Sequence, residues 1–326
     1  MTKNRRASLV LAVALSAAAA SQASAESRAW TAAKKALPAN LMGVGGMSVA
    51  QIKSSQLFQQ LWPMAMAQSG AQDKFDKFKA ACGFDPLDAF DSMVVGMKAD
   101  EKGAIVIALK GQTEKEIDAC ITNAAKADGK SATIKKDGAF MKYSGTGGKD
   151  IYIKWLTTDT FEIATQPDDK SLLTAMTKGG IDKDKALKTA LGAVNTDAAM
   201  WGAGNKTQDL PDIKAKMTGL YGSADVKSGT ISAEIHAVLD SAKAATDAAA
   251  QANTQLAQVK KSGGLPPAFS GLINSVAVKS SGAEVVVTAS IAEKDVMGLL
   301  MQFAGGMGSG GASAPPAKPA GSLKPH

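Results

Sequence analysis

The chain has 326 residues, a formal charge of +7, two Cys and only two His. That length is enough for a sizeable core or two domains. The scarcity of His, the lack of a Cys-x-x-Cys pair and the lack of a basic block exclude the usual zinc, dithiol-redox and nucleic-acid classes.

Residues 1–25 have the three parts of a secretory signal. Lys3, Arg5 and Arg6 make a positive start, Leu9 to Ala20 is apolar, and Ala23-Ser24-Ala25 is a small-x-small cleavage site. The apolar run is shorter than the roughly 20 residues a bilayer needs. Cleavage after Ala25 makes Glu26 the first mature residue. The residues flanking Arg5-Arg6 fit twin-arginine export poorly, so the general route is expected. No Cys lies near the cleavage site for lipid attachment, and no later run reads as a transmembrane helix. The sequence therefore predicts a periplasmic or secreted protein. Without Lys3, Arg5 and Arg6 the formal +7 becomes +4, and Arg28 is the one Arg left. Arg is the preferred reader of phosphates and base edges, so no nucleic-acid partner is expected. In an oxidising compartment the even Cys count predicts a Cys82–Cys120 disulfide, worth about 4 kcal/mol by chain entropy.

In chain order, a short helix is predicted over Trp30 to Leu37, then a glycine-containing strand from Leu41 to Val49. Ser54-Ser55 caps a helix running toward Cys82, broken or kinked at Pro63 and ended by Gly83. Phe75, Phe78 and Cys82 share one side of it. Ser92 to Lys98 and Ala104 to Leu109 read as a hairpin. Thr113 with Glu116 makes a capping box for a helix through Lys126 that carries Cys120. Four short strands follow: Ala132 to Lys136, Phe140 to Tyr143, Ile151 to Leu156 and Phe161 to Thr165. A helix from Lys170 to Lys178 closes the half at Gly179-Gly180.

The second half repeats the plan. It gives a helix (Ala186 to Val194), a strand (Ala198 to Gly204) and a hairpin (Leu220 to Val226 with Thr230 to Leu239). An Ala-rich helix from Ser241 to Lys261, a second hairpin (Ile273 to Lys279 with Glu284 to Ile291) and a last helix (Glu293 to Phe303) follow. The expected fold is α+β, with two similar antiparallel units over 26–180 and 181–304 that can merge into one sheet. Helices are expected on one face, leaving the other as a binding surface. Residues 305–326, rich in Gly, Ala, Ser and Pro, are expected to be a disordered tail.

Few groups suit catalysis. A Ser-His-Asp site would have to use His236, which shares a strand face with Glu234. Gly145-Thr146-Gly147-Gly148-Lys149 looks like a phosphate loop, but Asp150 replaces the needed Ser or Thr and strands flank it on both sides. Lys227-Ser228-Gly229 and Lys261-Ser262-Gly263 match a penicillin-binding triplet, yet the Ser-x-x-Lys nucleophile is missing from the chain. Asp168-Asp169 opens a helix, and Asp182 with Asp184 lies in a Lys-rich loop. Few aromatics are available to stack a sugar, and Trp62, Trp155 and Trp201 are expected mostly in the core. No catalytic, cofactor or metal residues are assigned.

The Leu41–Val49 strand, Ser55 to Phe58, Cys82-Gly83-Phe84-Asp85-Pro86-Leu87 and the Ser92–Gly96 strand carry a resemblance. The chain resembles a group of secreted proteins of myxobacteria and related bacteria. In these a Cys-Gly-x-Asp-Pro-Leu segment precedes a hairpin and a second Cys. The resemblance covers mostly residues 38–125 and implies export and an α+β repeat; it implies no activity. The sequence thus points to a non-enzymatic exported binding or envelope-scaffold protein, whose partner is an envelope protein or an apolar small molecule. The second reading is a carrier of a lipid or other apolar ligand between sheet and helices, lined by Met64, Met66, Met93, Met97, Met297 and Met301. The third is a hydrolase.

Overall fold

The computed structural model describes residues 26–145, 148–205, 207–261 and 267–298. The expected signal peptide with Ala25, the 305–326 tail and Met301 lie outside these. Helix α1 (Arg28–Ala36) is followed by β1 (Gly43–Ser48) and four helices: α2 (Val49–Ser54), α3 (Gln56–Ser69), α4 (Gln72–Cys82) and the single turn α5 (Pro86–Ala89). β2 (Phe90–Met97) and β3 (Gly103–Leu109) form the expected hairpin. α6 (Glu114–Ala127) starts at the expected capping box, in which the Glu116 carboxylate accepts from the Thr113 amide at 2.8 Å. β4 (Ala132–Asp137), β5 (Phe140–Gly145), β6 (Ile151–Trp155) and β7 (Thr160–Ala164) lead to α7 (Lys170–Met176). The second half holds α8 (Lys185–Ala193), β8 (Met200–Gly204), β9 (Gln208–Leu210), β10 (Ala215–Lys227) and β11 (Thr230–Leu239). After it come α9 (Ala242–Lys261), α10 (Pro267–Ser275), β12 (Ala277–Ser281) and β13 (Glu284–Ala292), and residues 293–298 are again helical.

Two expectations change. The helix from Ser55 does not break at Pro63, which sits inside α3; it breaks at Gly70, whose φ of 61° is the left-handed conformation that ends a helix. The stretch beginning at Ile273 is not yet strand. It belongs to α10, where the Ser275 hydroxyl bonds the Leu272 carbonyl, and β12 starts at Ala277.

All pairings are antiparallel, and the halves merge into one 13-stranded sheet in the order β12-β13-β11-β10-β8-β1-β2-β3-β7-β6-β5-β4, with β9 beside β10. The seam is β1 against β8, with Gly45 opposite Gly202. The spacing from the start of α1 (Arg28) to that of β1 (Gly43) recurs from α8 (Lys185) to β8 (Met200), and the seam joins one strand from each half of the chain.

One face of the sheet packs the main core. Val44, Val94, Val106, Trp201 and Tyr221 point there, beneath Trp30 and Leu37 and with Leu173 of α7 and Leu187 of α8. Trp30 meets Trp201 edge to face with ring centroids 4.8 Å apart. Gly46 makes room for this pair, since a Cβ there would lie 2.5 Å from the Trp201 indole nitrogen. The opposite face carries helices toward its ends. There α9 packs Ala244, Ala245 and Ala249 on Leu239 and Val285, and α6 lies by β4 with Asp118 accepting from the Tyr143 hydroxyl at 2.7 Å. The Cys82–Cys120 disulfide joins α4 to α6.

Asp184 has a role the sequence did not suggest. It is 6 % exposed and caps α8, accepting from the amides of Ala186 at 3.0 Å and Leu187 at 3.2 Å. Its other oxygen accepts from Asn40 at 2.7 Å, tying the α1–β1 turn to the second half. Asp184→Ala strands three backbone N–H groups, so urea unfolding should show a loss of about 2–4 kcal/mol. Asp184→Asn, which still caps, should lose clearly less; equal losses would mean that the carboxylate's bonds are not what matters.

Candidate functional site

The open centre of the second face holds an apolar groove of about 600 Å³. Strand alternation explains it. Across five strands one row reads Val95, Gly45, Gly202, Gly222, Ile235, each residue opposite the next. The adjoining row reads Met97, Gly43, Gly204, Leu220. Glycines therefore floor a trench whose walls are Val95 with Met97 on one side and Leu220 with Ile235 on the other. Val95 and Ile235 are four strand spacings apart, about 19 Å. Met200, Leu220 and Ile235 are 45, 46 and 47 % exposed. No side chain pointing into the trench from these strands is polar, and the backbone groups beneath are paired in the sheet.

Some of these glycines have a packing reason. A Cβ on Gly222 would lie 2.5 Å from the Glu234 carbonyl oxygen, and one on Gly45 would lie 3.0 Å from that of Trp201. Gly202 has none, since a Cβ there meets only the Val44 carbonyl oxygen, at 3.8 Å. Glycine in a strand interior weakens the strand and often marks close approach of a ligand.

His236 lies on the core side, stacked on Tyr221 with centroids 4.4 Å apart. As expected, Glu234 shares its face, and Nε2 is 2.7 Å from that carboxylate. Nδ1 is 2.9 Å from Glu284, which also accepts from the Tyr221 hydroxyl at 2.9 Å. Burial opposes charge on the imidazole, but the two carboxylates outweigh it and raise its pKa above the ordinary value. Burial and then Glu284 push the Tyr221 hydroxyl up to about 12. A polar pocket of about 470 Å³ adjoins this cluster. Both ring nitrogens face carboxylates, so neither is free to take a proton from a nucleophilic hydroxyl.

Glu162 escaped sequence reasoning. It is fully buried on the core side of β7, and neither carboxylate oxygen has a hydrogen-bond partner. Burial raises its pKa to about 8, only partly opposed by Lys154, the residue opposite it on β6. At neutral pH it is mostly the uncharged acid.

The remaining candidates fall in various places. Lys227-Ser228-Gly229 is a tight turn, with Ser228 and Gly229 both at positive φ. The Gly145–Lys149 segment joins β5 to β6; Thr146 and Gly147 in it, and Ser262 and Gly263 of the second Lys-Ser-Gly triplet, lie outside the described residues. Asp169 caps α7, accepting from Leu172 at 2.8 Å, and Asp168 pairs with Lys149. Trp201 is core, whereas Trp62 is half-buried and stacks on Phe58. Of the six methionines proposed as lining, Met97 lines the groove; Met42 and Met200, not singled out, line it too. The groove lined by Met42, Met97 and Met200 is an open trench on the sheet. Among the described residues no cluster of His, Cys, Asp and Glu is placed to hold a metal, and no helix is long and apolar enough to cross a membrane.

The chain matches no protein-family model and no curated protein. Among solved structures, crystal forms I, III and IV of TP0453 are similar, at 6, 7 and 7 % identity and TM-scores of 0.42, 0.43 and 0.46. They cover 82, 86 and 83 % of this chain and 95, 100 and 98 % of theirs.

Proposed function

We propose that this chain is a non-enzymatic exported binding protein that carries an apolar ligand, such as an acyl chain, in the glycine-floored trench. The observation that carries the reading is Gly202, a glycine at the seam that packing does not require and that leaves space above the sheet. A trench without polar side chains offers a ligand burial of hydrocarbon and little else, which suits a chain rather than a sugar or nucleotide. The signal-like residues 1–25, the disulfide and the resemblance to secreted proteins support export.

The test is native mass spectrometry of protein purified from the envelope fraction of its own cells, followed by solvent extraction. A reproducible extra mass that extracts as lipid is expected. Gly202→Leu should lower that occupancy by about tenfold or more, ~1.4 kcal/mol, while circular dichroism stays unchanged. A bare protein mass, or a Gly202→Leu variant with the full load, would overturn the reading.

A second reading, an envelope scaffold that binds protein, draws on the α3–α4 arm. Its stacked Phe58 and Trp62, with Phe75 beside them, and the 38 % exposed Phe78 offer apolar contact surface. Crosslinking in cells that traps one partner through this arm would favour it.

A further inference from the structure

On the core side of the sheet, away from the trench, a cleft of about 420 Å³ opens between α1 and the end of the β6–β7 hairpin. Ala32 and Ala36 of α1 and Leu156 give it apolar walls, while Lys35, Lys154 and Arg28 give it cations. Arg28 is already matched, since it pairs with Asp91 and Asp159. Asp159 is engaged in turn, its other oxygen accepting from the hydroxyls of Thr157 at 2.9 Å and Thr160 at 3.2 Å. Lys35 and Lys154 are different. Among the described residues neither forms an ion pair, whereas Lys142, Lys149 and Lys170 on nearby elements all do. The carboxyl opposite Lys154 on the next strand, Glu162, is buried beneath it with no hydrogen bond of its own.

Two unmatched ammonium groups over apolar walls are a recognisable arrangement. A lysine stem can cover apolar walls while its head presents positive charge at the edge of a recess of ligand size, and both lysines line this one. We infer that this cleft binds a small amphiphilic anion, a carboxylate or phosphate monoester on a short apolar chain, with Lys35 and Lys154 on the anion and Ala32, Ala36 and Leu156 on the chain. The site is independent of the trench, which offers no charge.

The experiment is titration calorimetry of the mature chain with hexanoate, hexyl phosphate, hexanol and inorganic phosphate. Hexanoate or hexyl phosphate should bind at one site, about tenfold or more tighter than hexanol or inorganic phosphate. Lys35→Gln with Lys154→Gln should weaken that binding by about tenfold or more, with the thermal midpoint unchanged. Lys34→Gln, on the same helix but paired with Glu26, should leave it as it was. Gly202→Leu should leave it unchanged too, separating this cleft from the trench. Vesicles bearing the same phosphate on a lipid distinguish the source: binding that the double variant abolishes assigns a lipid headgroup, and its absence beside hexyl phosphate binding assigns a free ligand. The inference falls if all four probes bind alike, if none saturates, or if the double variant binds like the parent.

Discussion

Replacing Glu162 by Gln should flatten the alkaline limb of the protein's stability curve. The carboxyl titrates at 4.5 when unperturbed and at about 8 when buried in the fold. Between these values the folded chain keeps a proton that the unfolded chain has released. Stability therefore falls as pH rises through this window, by about 1.4 kcal/mol per unit. Below the unfolded value both states are protonated and the slope vanishes. Above the folded value the loss is complete, about 5 kcal/mol. Gln keeps the shape of the neutral acid and has no charge to bury. Wild type and Glu162→Gln should match near pH 4 and differ by several kcal/mol near pH 9 in urea unfolding. His236 adds its own slope, since its raised pKa gives stability that is present at low pH and lost as pH rises through the folded value. The readout is therefore the difference between the two proteins, in which His236 cancels. Parallel curves would mean that the carboxyl reaches water in the native state.

Glu162 also shows where sequence patterning stops. In β7 the alternation of Thr160, Glu162 and Ala164 against Phe161 and Ile163 identifies two faces. Ordinary reasoning turns the Thr and Glu face to water. The structure buries that face, with Thr160 at 1 % and Glu162 at 0 % exposure, because α1 and α7 pack over it. Alternation tells which residues share a face; which face meets a helix depends on a neighbouring element far away in the chain. Ser92 in β2, 1 % exposed beneath α1, is the same case, and its hydroxyl accepts from the Ala29 amide.

Signals in the sequence are legible where their physics is local. The Thr113–Glu116 capping box, the Ser55 cap, the left-handed Gly83 and the 227–229 turn all involve neighbours within a few residues. The trench is half local. Gly43 and Gly45 share one face of β1, and Gly202 and Gly204 share one face of β8, which the period of two makes visible in the sequence. Nothing local says that these strands are partners, or that Gly222 of β10 completes the row. That needs the β1–β8 seam, which joins residues from opposite halves of the chain. The same seam turns two expected units into one sheet, and so places the candidate site across the β1–β8 pairing rather than within either half.

Removing the Cys82–Cys120 bond should release the α3–α4 arm and leave the sheet folded. The crosslink closes a loop spanning 38 residues, which the chain-entropy account values at about 4 kcal/mol. Where that loss appears depends on what else holds the arm. α4 has no buried residue, and α3 has only Met66. The amide of Asn123 donates to the Ala81 carbonyl beside the disulfide, and Glu293 accepts from Leu57 at the far end of the arm. With so little burial the arm cannot transmit the loss to Val94 or Val106, which sit in the main core. Hydrogen exchange of a Cys82→Ala, Cys120→Ala variant should therefore rise by about 10²–10³-fold over residues 56–82 and stay near wild type over β2 and β3. Ala is preferred to Ser because Cys120 is 2 % exposed and a hydroxyl there would be buried. Unchanged exchange in the arm would mean that packing of Phe58, Trp62 and Phe75 holds it without the bond. Exchange rising equally in the sheet would mean that arm and sheet are one cooperative unit. A released arm would also expose those aromatics, so in the scaffold reading the oxidised bond is what keeps this contact surface in one geometry.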